Sequence, residues 1–157
     1  MPFLIDGYNL FWAVQKSSEG AESISDVELC RILGQYLGLT SRTAEIIFDG
    51  VGPPEKSGFD NIKGLDVFFS GASSDADTVI EDKIQSSSAP RRLTVVSSDR
   101  RIRKAAHLRK AASVKSEIFW NEVAKRLACR QRDNEPQAKQ KGISEGETEQ
   151  WMKFFKL

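Results

Sequence analysis

Aspartates in this chain recur just after short apolar runs. Asp6 follows Phe3-Leu4-Ile5, Asp49 follows Ile46-Ile47-Phe48, and Asp99 follows Val95-Val96-Ser97-Ser98. Asp75 and Asp77 come shortly after a further run, Leu65 to Phe69, across the small-residue turn Ser70 to Ser74. Clustered carboxylates repel, and each disfavours ionisation of the next. A divalent cation removes that cost, lowers the pKa of a bound water and offsets charge building on a phosphate. Any one aspartate has a plainer reading as a helix cap or turn residue. Their repetition at run ends is what points to a metal site built from Asp6, Asp49, Asp77 and Asp99. Asp60 and Asp66 lack such placement and read as solvated.

Other metal chemistries fit poorly. His107 is the only histidine, and Cys30 and Cys129 lie far apart, so a nitrogen- or sulfur-ligated zinc site is a poor candidate. The two cysteines read as reduced core thiols. Oxygen ligands favour Mg²⁺ or Mn²⁺. Asp75-Ala76-Asp77-Thr78 matches an aspartyl-phosphatase signature only superficially, because Gly71 to Ser74 separate it from the preceding run. Gly50 to Ser57 lacks the second glycine of a phosphate-binding loop.

Short β-type runs alternating with helical ones must position these residues. Strands are predicted at Phe3–Ile5, Glu45–Phe48, Leu65–Phe69 and Leu93–Val96, with a short edge strand at Ser113–Lys115. Helices are predicted from Asn9 to Lys16, from a Ser25/Glu28 capping box to a terminator at Gly38, from about Asp75 to Ser87, from Arg100 to about Ala112, and from Ser116 onward. Such alternation implies an α/β fold with a mainly parallel sheet and helices on both faces. Ligands of such sheets bind at the carboxyl ends of the strands, where these aspartates should meet. The polar stretch from Arg130 to Gly142 reads as a loop or linker. Residues 1–131 thus form the main domain, and 132–157 a linker and a final amphipathic helix carrying Trp151, Phe154 and Phe155.

The net charge of +1 hides an asymmetry. Residues 1–90 hold 6 Lys/Arg against 14 Asp/Glu, a net of −8, while residues 91–157 hold 17 against 8, a net of +9. An acidic half joined to a basic one suits a carboxylate site with a polyanion-binding flank, although solvated helix surface would give the same count. The N-terminus carries no basic leader, and no apolar run approaches the ~20 residues that span a bilayer. These features predict a soluble, cytoplasmic protein with no membrane partner. They leave the oligomeric state open.

Within the site region, Asp75 reads as the cap of its helix and Asp77 as the better ligand. Glu81 shares a helix face with Asp77 and either holds a metal-bound water or faces solvent. Asn9 could orient Asp6, contact substrate or cap the first helix. Ser98 could offer its hydroxyl to a phosphate or support Asp99.

Ile5-Asp6-Gly7-Tyr8-Asn9 resembles the opening of NYN domains, a branch of the PIN-like nucleases. Ala76-Asp77-Thr78-Val79-Ile80-Glu81 is similar to the family's helix start, and Val95-Val96-Ser97-Ser98-Asp99 resembles its strand end. Ile47-Phe48-Asp49 fits the second strand, and Ile143-Ser144-Glu145 with Trp151 resembles the tail of the YacP-like subgroup, which includes a ribosome-associated bacterial endoribonuclease. The resemblance implies a three-layer α/β/α PIN-like fold with strand order about 3-2-1-4-5. It also implies Mg²⁺- or Mn²⁺-dependent hydrolysis of single-stranded RNA, with the ribosome as a further partner. Asp6, Asp77 and Asp99 carry over as metal ligands and catalytic residues together with Asn9, whereas Asp49 rests mainly on its strand-end position. Thr78 stands where relatives often have a second acidic residue, which bears on a second metal.

Of the basic residues, Arg100, Arg101 and Lys104 follow the strand that delivers Asp99, so with Ser98 they are the expected RNA contacts. Arg91 and Arg92 precede that strand and should lie at the opposite edge. Lys139 and Lys141 are candidates for RNA or ribosome contact. Trp12 could stack a base near Asn9, but core packing is the favoured reading. The rivals to an endoribonuclease are a non-catalytic RNA-binding or ribosome-associated module and, further off, a small-molecule phosphatase.

Overall fold

Parallel strands covered on both faces need apolar side chains on both, and the predicted runs supply them. A computed structural model describes residues 2–17 and 24–140, with side chains as far as Arg130. Strands β1 (Phe3–Asp6), β2 (Ala44–Phe48), β3 (Leu65–Phe69), β4 (Thr94–Val96) and β5 (Ala112–Val114) form one sheet in the order β3-β2-β1-β4-β5. Every pairing is parallel. The helices are α1 (Gly7–Ser17), α2 (Asp26–Thr40), α3 (Ala76–Ser86), α4 (Arg100–Leu108) and α5 (Ser116–Gln140).

Side chains alternate across the sheet and divide the core in two. Ile5, Ile46, Phe48 and Val96 pack with α1, α2 and α5. Leu4, Ile47 and Val95 pack with α3 and α4. This gives the α/β/α sandwich with order 3-2-1-4-5. Asp6, two residues beyond Leu4, falls on the α3/α4 side.

Element starts follow the sequence closely. Ser25 caps α2 by accepting the Glu28 N–H at 3.1 Å, and Asp75 caps α3 by accepting the Thr78 N–H at 2.7 Å. Several ends differ. Gly38 does not terminate α2, which continues to Thr40 and stops where Ser41 enters the left-handed region at φ 53°. The basic helix α4 ends at Leu108 rather than near residue 112, because Lys110 turns left-handed at φ 62° and the Ala111 N–H closes on the Ala106 carbonyl.

The stretch read as a linker from Arg130 is helical through Gln140, as a continuation of α5. Its Gln, Arg, Lys and Ala residues are good helix formers whatever their polarity. The predicted final helix and Lys141 lie outside the described residues, as do the Lys139 side chain and residues 18–23 of the polar stretch after α1. Cys30 is buried as expected, whereas Cys129, also assigned to the core, is exposed on α5.

Candidate functional site

The carboxyl ends of β1 and β4 lie side by side, with Ile5 in register with Val96. The next residues, Asp6 and Ser97, are therefore neighbours, and the Ser97 hydroxyl donates to Asp6 Oδ2 at 3.0 Å. The same hydroxyl accepts the Asp99 N–H at 3.1 Å, so one buried serine ties both aspartates together. Asp99 caps α4, accepting the Arg101 N–H at 2.8 Å. Asp77 stands in the first turn of α3. The positive ends of both helix dipoles thus face the carboxylates.

Asp6 is buried, and its carboxyl is pushed up from the ordinary 3.8 to about 6. Loss of hydration is the main cause; the charges of Asp77 and Asp99 raise it further, while bonds from Ser97 and the Asn9 backbone pull the other way. Burial also raises Asp77, followed by repulsion from Asp99, with the nearby Arg101 opposing. Asp6, Asp77 and Asp99 therefore form one electrostatic unit.

Asp49 is tied to the entry of α3. Its Oδ1 accepts the Ala76 N–H at 3.2 Å and the Ser70 hydroxyl at 3.3 Å, and its charge falls on Tyr8. It braces the start of α3, the helix that presents Asp77.

The donor set suits a hard cation: all oxygen, anionic and short. Among the described residues, no three His, Cys, Asp or Glu side chains already close into a metal cage. A cation bound among these carboxylates would offset the repulsion that each exerts on the next.

Around the three aspartates the other expected residues sort themselves. Asn9 does not cap α1, which begins at Gly7. Its Oδ1 instead accepts the Ser98 N–H at 2.9 Å and the Ser116 hydroxyl at 2.6 Å, locking α1 to β4 and α5. The Ser98 hydroxyl donates to Glu117 at 2.7 Å and accepts the Ser116 N–H at 3.1 Å. Glu81 meets the Arg101 guanidinium, which joins α3 to α4 at the rim. Arg100 and Lys104 are exposed on α4, and Arg91 and Arg92 lie at the other edge, just before β4. Trp12, favoured for the core, is 62% exposed.

Sequence reasoning missed Ser97 and Glu117, and read Ser116 as the cap of α5 rather than as the partner of Asn9. Only Ser97 had a signal, as the apolar-side neighbour of Ser98 in the strand end. Gly7 shows why a residue without Cβ follows Asp6: a Cβ there would stand 2.5 Å from the Phe48 ring and 2.8 Å from the Ile47 carbonyl.

The model of the YacP-like NYN domain matches residues 3–156. The chain belongs to this family. Its fold is similar to that of Rae1 (YacP) from Bacillus subtilis, with a TM-score of 0.69 at 22% identity over 90% of this chain and 84% of that one. The W164L mutant of the same protein aligns with a TM-score of 0.63 at 21% identity, over 98% of this chain and 91% of that one. No curated protein matches the chain significantly. NYN membership makes this a nuclease-like, RNA-related domain, and among the described residues no helix is long and apolar enough to cross a membrane.

Proposed function

We propose that the chain is a metal-dependent endoribonuclease that hydrolyses single-stranded RNA. The observation that carries this reading is the electrostatic unit of Asp6, Asp77 and Asp99 at the carboxyl edge of the sheet, with Asp6 pushed up to about 6. A bound cation would offset both the burial of these carboxylates and their mutual repulsion. Asp6, Asp77 and Asp99 would hold Mg²⁺ or Mn²⁺, which supplies Lewis acidity and an activated water.

The chain's own groups do the positioning. Ser97 fixes Asp6 relative to Asp99 through its two hydrogen bonds. Asp49 and Asp75 fix the first turn of α3, and with it Asp77. Asn9 acts through Ser98 and Ser116 to hold the end of β4. Arg101, steered by Glu81, offers charge at the rim, and the exposed Arg100 and Lys104 offer it to a phosphate backbone. The ribosome enters this reading only as a partner implied by family resemblance.

The open arrangement of the carboxylates favours one alternative, an RNA-binding module without catalysis. Labelled single-stranded RNA incubated with Mn²⁺ or Mg²⁺ separates the two. Internal cleavage that EDTA stops and Asp77→Asn abolishes is the expected result. RNA binding without metal-dependent cleavage would favour the module, and wild-type cleavage by Asp77→Asn would overturn the site.

A further inference from the structure

Among the described residues, Trp12 is the largest exposed side chain that neither core cluster uses, with 62% of its area open to solvent. Burying an indole is worth roughly 2–3 kcal/mol, so leaving it exposed forgoes a stabilisation that the neighbouring Leu10, Ala13 and Val14 obtain. Its position connects it to the site. Helical spacing puts Asn9, Trp12 and Lys16 on one stripe of α1, at i, i+3 and i+7. Asn9, at the head of that stripe, is bonded to Ser98 and Ser116. Lys16, at its foot, acts on Glu117, which holds the Ser98 hydroxyl. Trp12 therefore sits between two residues that both reach the β4–α5 junction next to Asp99. With a rise of 1.5 Å per residue, it lies about 4.5 Å further along the helix than Asn9.

The indole is also held. The Phe11 ring packs nearly perpendicular to it, at 77° and 5.8 Å between centroids, and Phe11 in turn meets Tyr8 at 89° and 6.2 Å. This row of edge contacts runs back toward Phe48, whose ring lies 5.1 Å from that of Tyr8. An aromatic braced by its neighbours yet exposed loses little rotamer freedom when something stacks on it.

We propose that Trp12 is a base-stacking platform, taking the π-face of one nucleobase of single-stranded RNA one or two nucleotides from the carboxylates. It rests on the ribonuclease reading of the same site. The strand would cross the sheet edge between two flanks. On the α4 side, Arg100 and Lys104 neutralise phosphates; on the α1 side, Trp12 stacks and Lys16 supplies a further cation. Every base offers a π-face, so the platform adds affinity without sequence preference. A duplex keeps its bases in its own stack and cannot use it.

The test is binding of a short oligouridine to the full chain in EDTA, where no cleavage intervenes. Wild type, Trp12→Phe and Trp12→Ala are compared, and thermal melting confirms that each is folded. Trp12→Ala is expected to weaken binding about 5- to 150-fold, the range that base–aromatic stacking covers. Trp12→Phe should recover most of the loss, and an RNA duplex should bind all three alike. Quenching of tryptophan fluorescence by oligouridine should fall in Trp12→Phe. Absent wild-type binding, unchanged affinity in Trp12→Ala, or an equal loss on the duplex would overturn the platform. If wild type shows no metal-dependent cleavage but Trp12→Ala still loses oligouridine binding, the nuclease reading fails and the platform stands.

Discussion

At Asp6, burial and the charges of Asp77 and Asp99 lift the carboxyl from 3.8 to about 6. The folded protein therefore holds this proton more tightly than the unfolded chain does. The resulting stability is fully present below about pH 3.8 and is lost as pH rises through about 6, at a cost of roughly 3 kcal/mol at neutral pH. In metal-free protein, Asp6→Asn should melt increasingly above wild type as pH rises between these values. A melting difference independent of pH would contradict the assignment. Added Mn²⁺ should stabilise wild type at pH above about 6 and lose that effect below it, because protons compete for the carboxylate. Ser97→Ala removes a bond that lowers the same group, so carboxyl NMR should find Asp6 titrating higher still in that variant. The three aspartates were legible in the sequence because each sits at or just beyond the end of an apolar run. Their supports were not: the Ser116 hydroxyl meets Asn9 across 107 positions, a pairing that only the folded chain creates.

At the scale of elements, the entries to the helices position the chemistry. Gly7→Ala would drive a methyl against the Phe48 ring and the Ile47 carbonyl, and should cost about 1–3 kcal/mol in denaturant unfolding. Asp75→Ala removes the cap of α3 and one of the charges that raise Asp77, so it should lower the melting temperature and let Asp77 titrate closer to its ordinary value. Strands and helix starts could be read from sequence because apolar runs and Ser/Asp caps are local signals. Helix ends could not, where Ser41 and Lys110 adopt left-handed conformations usually left to glycine or asparagine. The extension of α5 to Gln140 escaped the reading because solvated helix and loop share a polar composition. Trp12 went to the core on the average behaviour of aromatics, and exposure is what makes it informative.

Over the whole molecule, the acidic first part supplies Asp6 and Asp77, and the basic second part supplies the flank on α4. Binding to single-stranded RNA should weaken steeply with salt. Replacing Arg100 and Lys104 by alanine should reduce the slope of log affinity against log salt by roughly 1.4, at about 0.7 per lost phosphate contact. An unchanged slope would place the RNA elsewhere. The central claim, that Asp6, Asp77 and Asp99 together hold the cation while Asp49 only braces α3, is tested most directly by Mn²⁺ affinity across the four single Asp→Asn variants. Asp6→Asn, Asp77→Asn and Asp99→Asn should each bind Mn²⁺ about tenfold or more weakly than wild type, with Asp49→Asn closest to it. Wild-type affinity in any of the first three, or a loss at Asp49 as large as theirs, would contradict the account.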